Sequence, residues 1–313
     1  MIWFGAKMKI PKTNTICLSL AAALLVVSGL GNSPLFAGEG YNVPPRKSSY
    51  DQAGRLRINR DYFELSAATG GDFYFWAPGE FSASAATLRI PVTSDPILLD
   101  YGTGDNYANS YNIPVDSGIA MLNVFAGAQR KDRFVLFRPD GRSTSANPAF
   151  VSEQKYHHMS IISVEKPEAG VWRLEVSGAG YYAVTVRYTA VKGKNGSDRE
   201  KGIDLISMRF VEAGGRPGHE GLFPVKGKVR AGETRLCRIE ISGTISKPVA
   251  EFISRDNRVL ESIKLRPASP ESDGELIGTC TVPSVSFRTR VSGRDVDGYL
   301  FQRVTPALYT SAK

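Results

Sequence analysis

Histidine and cysteine are almost missing from this chain, with three of each in 313 residues. That leaves little from which to build a zinc centre, which takes three or four nitrogen or sulfur ligands. His157 and His158 are adjacent, and neighbours on a strand point to opposite faces, so they read as loop histidines. His219 stands beside Glu220 in "RPGHEG". Such a pair can work as acid and base, but no nucleophile is fixed near it by spacing. The chain has no G-x-S-x-G, no Walker loop and no dinucleotide-binding glycine fingerprint. Nor does it interleave a basic block with aromatics, which argues against a nucleic-acid partner. These absences favour a non-catalytic chain.

Long apolar runs are also lacking, except one near the start. Ile16 to Leu30, "ICLSLAAALLVVSGL", follows Lys7, Lys9 and Lys12 and precedes the small-residue stretch "GNSPLFAGEG". This pattern predicts a secretory signal peptide over residues 1–37, cleaved after Ala37; an uncleaved anchor is the alternative. Either places the remainder outside the cytoplasm, secreted or periplasmic. No later run is long and apolar enough to span a membrane. The net charge of +8 falls on cleavage, because the removed piece carries three lysines and no acid. The remaining excess is spread along the chain and reads as solvation.

Beyond the leader, Cys237 and Cys280 remain. In an oxidising compartment an even count suggests one disulfide, closing a loop of about 44 residues worth roughly 4 kcal/mol in the chain-entropy model. Two buried thiols are the alternative.

What the sequence has in abundance is two-residue alternation. In "GVWRLEVSGAGYYAVTVRY", Gly170 to Tyr188, Trp172, Leu174 and Val176 alternate with Arg173 and Glu175, and the pattern resumes after "SGAG". It predicts an antiparallel hairpin turning at SGAG, with Trp172 in the core. The fold expected is mainly β: two consecutive antiparallel sandwiches with a short α/β segment before them. Residues 38–82 form that lead, in which "RDYFELSAAT" is a short helix stopped by Gly70 and Gly71 and "DFYFW" a strand. The first sandwich, jelly-roll-like, covers 83–213 and includes strands at 87–92 and 203–211. "EAGGRPGHEG", Glu212 to Gly221, marks the boundary. The second, immunoglobulin-like, covers 220–313, with Cys237 and Cys280 on neighbouring strands of one sheet.

Two places invite a ligand. "DYGTGDNYANSY" reads as a loop between strands. It offers Asp100, Asp105, Asn106 and Asn109 for coordination or hydrogen bonding, and Tyr101, Tyr107 and Tyr111 for stacking on a sugar; a solvated loop whose tyrosines cap the core is the plainer reading. "DVDG" places Asp295 and Asp297 before Gly298, a weak calcium candidate. Tyr299, Leu300 and Phe301 follow where an EF-hand needs further oxygen ligands, so a hairpin turn is the simpler account. "KNGS" holds an acceptor sequon at Asn195.

Three stretches carry a family resemblance. "VSFRTRVSGRDVDGYLFQRV" resembles the closing hairpin of the C-terminal region of hemicentins and related von Willebrand factor A domain-containing proteins. "VEKPEAGVWRLEVSGAGYYAVTVRYTA" resembles the galactose-binding-like sandwich that follows the A domain there; its P-x-x-G-x-W pattern also resembles bacterial pre-peptidase C-terminal domains. "DYFELSAATGGDFYF" resembles the last helix and strand of an A domain. The order matches. The departure is that no D-x-S-x-S loop occurs and that the stretch between Ala37 and Thr69 is too short for an A domain, so that family's metal-dependent adhesion is not expected to carry over. The resemblance implies an extracellular interaction, adhesion or assembly role, with an extracellular or envelope protein as partner. A glycan- or calcium-linked surface binder is an alternative, and a hydrolase using His219 and Glu220 is another.

Overall fold

Asn59 opens the one α-helix among the described residues. Its side-chain oxygen accepts from the amides of Asp61 and Tyr62, capping α1 (Arg60–Thr69). Gly70 closes it at φ +72°, in the left-handed region glycine adopts without strain. In this computed structural model the described residues are 56–77, 96–146, 150–191, 202–216, 218, 220–269 and 274–312. The expected leader 1–37, the strand at 87–92, Asn195 and His219 lie outside them. The rest of the fold is β, as the alternation predicts.

The first sandwich contains β1 (Leu98–Val115), β2 (Ile119–Phe137), β3 (Val151–Lys155), β4 (Met159–Glu165) and β5 (Gly170–Ala190). They form one antiparallel sheet in the order β1-β5-β2-β4-β3. The expected hairpin at SGAG is absent, because β5 runs through it as a single strand of 21 residues. Ser177–Gly180 is a waist instead. Opposite it, the pairing shifts between Gly104 and Tyr107 on β1, and between Ala128 and Arg133 on β2. Bulges bend strands. Leu98 and Val186 at one end, and Ile113, Leu136 and Trp172 at the other, belong to one buried core. The sheet therefore folds over its own apolar face. The glycines here permit close approach: a side chain at Gly178 would meet the Arg130 carbonyl and the Tyr107 hydroxyl.

The second sandwich begins earlier than expected. Its strands are β6 (Leu205–Gly214), β7 (Gly221–Pro224), β8 (Thr234–Ile241), β9 (Ser246–Ile253), β10 (Val259–Lys264), β11 (Arg266–Pro267), β12 (Glu275–Thr281), β13 (Arg288–Arg294) and β14 (Leu300–Val304). Two sheets, β11-β12-β8-β6-β7 and β10-β9-β13-β14, enclose Cys237, Ile239, Phe252, Phe287, Val291 and Phe301. β6, expected to close the first sandwich, pairs with β8 here. The glycine-rich 212–221 stretch lies in the β6–β7 hairpin rather than at a boundary, since Gly214 pairs with Gly221. A tight turn and a linker share the same composition, and only pairing separates them.

Three buried arginines help join the pieces. Arg303, 1% exposed, donates to Asp116 Oδ2 at 2.7 Å, to the Ile203 carbonyl at 2.7 Å and to the Gln302 carbonyl at 2.9 Å, and lies 3.9 Å over the Tyr188 ring. Arg288 reaches the carbonyls of Ala67 in α1 and Pro306. Arg187 reaches Asp72 and the Gly70 carbonyl. The DFYFW stretch, expected as a strand, makes no strand pairing. Its aromatic residues pack on the outer face of the first sheet, Phe75 with Leu99, Tyr101 and Ala183, and Trp76 with Phe125 and Ile161.

Candidate functional site

The predicted Asp100–Tyr111 loop is strand, part of β1, with a bulge after Gly104. Its alternation looked like a loop because polar residues fill the exposed positions and a bulge breaks the period. The bulge brings Asp100 and Tyr111 to one side. Tyr111 donates its hydroxyl to Asp100 Oδ2 at 2.6 Å and accepts from Asn109 Nδ2 at 3.0 Å. Tyr182 adds a longer donation to the same oxygen at 3.4 Å. Asp100 is 5% exposed and its Oδ1 makes no hydrogen bond. Burial raises its pKa, opposed by the Tyr111 and Tyr182 hydroxyls. The phenols move the same way: burial, then the Asp100 charge, pushes Tyr182 up to about 12, and Tyr111 is raised for the same reasons. Both therefore stay protonated and donate.

The other residues of the predicted set separate. Tyr101 is buried on the opposite face, donating to the Gly71 carbonyl at 2.7 Å beneath the Arg288 guanidinium. It anchors the N-terminal segment and offers no face to a sugar. Asp105 and Asn106 are exposed at the bulge, and Tyr107 packs on Tyr182 with ring centroids 4.5 Å apart.

Tyr111 also lines a groove of about 350 Å³ where the two sandwiches meet. One wall is β1, through Leu98, Ser110, Tyr111 and Asn112. The other side comes from the four-stranded sheet of the second sandwich: Glu251 on β9, Arg290 and Ser292 on β13, Gln302 on β14, with Asn257 from the β9–β10 turn. Register places Arg290 opposite Glu251. Arg290 Nε and Nη2 both bind Glu251 Oε2, at 2.8 and 2.7 Å. Asn257 and Gln302 tie the groove together by donating to the Leu99 and Ile97 carbonyls. None of these second-sandwich residues was singled out in the sequence, where charges at outward strand positions read as a solvated face.

Asp295 serves the joint. Its Oδ1 accepts from the amides of Asp297 and Tyr299, and its Oδ2 from the amide and hydroxyl of Ser117 in the first sandwich. Gly298 takes φ +85°. This is the tight hairpin, with Asp295 already fully engaged and Asp297 exposed. Among the described residues no cluster of three or more His, Cys, Asp or Glu has metal-binding geometry. Cys237 and Cys280 do lie on neighbouring strands, but as buried thiols rather than a disulfide. Gly278 is opposite Cys237 and Arg235 opposite Cys280, so the pair is diagonal; the Cys280 thiol donates to the Arg235 carbonyl at 3.4 Å. His157 and His158 sit in the bend between β3 and β4, their rings 4.7 Å apart. Glu220 accepts from the Gly218 amide.

No family model matches the chain. Hemicentin-1 of Mus musculus is 25% identical over 258 residues, covering 80% of this chain and 4% of that protein. The chain thus spans a small fraction of that relative, while the likeness runs along most of the chain. Among solved structures, Bacillus licheniformis lipase BlEst2 in its propeptide form is similar at 13% identity, over 72% of this chain and 49% of that one, with a TM-score of 0.25. That likeness is too low to carry an argument. No helix among the described residues is long and apolar enough to cross a membrane.

Proposed function

We propose that this chain is a non-catalytic binding or structural module, working outside the cytoplasm through contacts with an extracellular or envelope protein. The observation that carries the reading is the joint between the sandwiches. Arg303 and Asp116, each 1% exposed, are bonded across it, and Ser117 donates across it to Asp295, so surfaces of both sandwiches are held in fixed relation. A partner touching both then pays little ordering entropy on binding. The hemicentin-like resemblance supports an adhesion or assembly role, and the basic, apolar, small-residue start supports export.

The test is photo-crosslinking in the native envelope from probes at Val249 and Phe150, exposed positions on the two sandwiches. One protein crosslinked from both probes, with the leader removed after Ala37, is expected. Absence of a protein crosslink, together with an ester or peptide hydrolysis abolished by His219→Ala, would replace this reading with the hydrolase one.

A further inference from the structure

The groove between the sandwiches carries more than its position. Its charged lining pair is self-neutralised. Arg290 spends Nε and Nη2 on a single oxygen of Glu251. Arg290 Nη1 and Glu251 Oε1 are outside that bond, on side chains about one-fifth exposed. Side by side they offer one charge-assisted donor and one charge-assisted acceptor with no net charge. A phosphate or carboxylate would meet the Glu251 carboxylate, and an ammonium would meet Arg290. Two adjacent hydroxyl groups meet neither objection, because one accepts from Arg290 while the other donates to Glu251. The remaining polar lining, Ser110, Asn112, Asn257, Ser292 and Gln302, is likewise neutral. Each of these side chains both donates and accepts, which suits hydroxyls better than ions.

The wall is preset. Tyr111 is fixed by its bonds to Asp100 and Asn109, and a locked aromatic lowers the cost of ordering a binding surface. About 350 Å³ is near the small end of ligand pockets, ~300–1,000 Å³. It has room for one or two sugar rings.

We infer that this groove binds a neutral carbohydrate through a vicinal diol held between Arg290 and Glu251. The inference rests on the chain being a binding module and names the ligand class of this one site. The site differs from the loop expected in sequence, because half of it comes from the second sandwich.

The experiment titrates methyl glycosides of glucose, galactose, mannose and N-acetylglucosamine into the ¹⁵N-labelled chain from Gly38 onward. Shifts confined to residues 110–112, 251, 257, 290–292 and 302 are expected for at least one glycoside. Ser110→Arg, which fills the groove from an exposed strand position, weakens that affinity about tenfold or more. So does the pair Glu251→Gln with Arg290→Gln, which keeps hydrogen-bonding groups but removes the charge assistance. Absence of shifts at these residues with all four glycosides overturns the inference, as does affinity unchanged by a folded Ser110→Arg variant. Protein crosslinks that persist while the titration fails would sink only the carbohydrate site and leave the module reading standing.

Discussion

Replacing Arg303 with methionine should cost about 3–5 kcal/mol of folding stability, a figure taken from buried pairs broken on one side. The guanidinium makes three hydrogen bonds of 2.7–2.9 Å and stacks over Tyr188. Methionine fills much of the same space but strands Asp116. That carboxylate is 0% exposed at its side chain and would keep only the Gly118 amide at 3.1 Å. The cost is therefore the burial of an unpaired charge more than the loss of any one bond. Asp116→Asn in the same background removes the charge and retains the Gly118 contact, so the double variant should recover about 2 kcal/mol, because removing both charges of a buried pair is often close to neutral. Arg303→Lys should still be clearly destabilised, because a point charge cannot bond three acceptors in a fork and stack on the ring. Urea denaturation of the three variants against the parent measures this through the transition midpoint at constant slope. A loss under about 1 kcal/mol for Arg303→Met, or single-variant costs that simply add, would refute the idea that a buried charge pair secures the joint.

Asp100 sets a second expectation. Its folded pKa is raised, so the native state binds the proton more tightly than the unfolded chain does. Its contribution favours folding at low pH and is lost as pH rises from the unfolded value through the folded one. Asp100→Asn should flatten that fall, and thermal melts stepped from acid to neutral pH would show it; parallel curves would contradict the assignment. Gly178→Ala should destabilise by about 1–3 kcal/mol as an overpacked site, since the methyl meets the Arg130 carbonyl and sits 2.7 Å from the Tyr107 hydroxyl. Melting unchanged in that variant would mean the waist is looser than the backbone contact implies. Cys237 and Cys280 are buried thiols, so a chain starting at Gly38 should show none reactive when native and two when unfolded without reductant. None on unfolding would mean that the diagonal pair closes into a disulfide.

The strands were legible because burial on one face writes a two-residue period, as in Trp172, Leu174 and Val176, all at or below 1% exposed. The helix was legible from its left-handed stop at Gly70. The SGAG waist was not. Glycines that turn a hairpin and glycines that let a long strand bend against a neighbour look alike in sequence, and the shifts in β1 and β2 that distinguish them lie about 45 to 75 residues away. Arg303 left a trace, since it falls in phase with buried Phe301, where a solvated arginine does not belong. Its partner Asp116 did not, because a lone acid after a strand is ordinary turn chemistry.

By itself, the sequence determined the mainly β class, the helix and its ends, the core role of Trp172 and the turn at Gly298. These are local matters, set by side-chain period and by the φ a residue tolerates. The tertiary structure alone decided that β6 joins the second sandwich, that Asp100 and Tyr111 meet while Tyr101 turns away, and that Glu251 and Arg290 face β1 across a groove. Each of those depends on register and on contacts between residues distant in the chain. Those are fixed by which pairing buries the most apolar surface, and no short window of sequence records it.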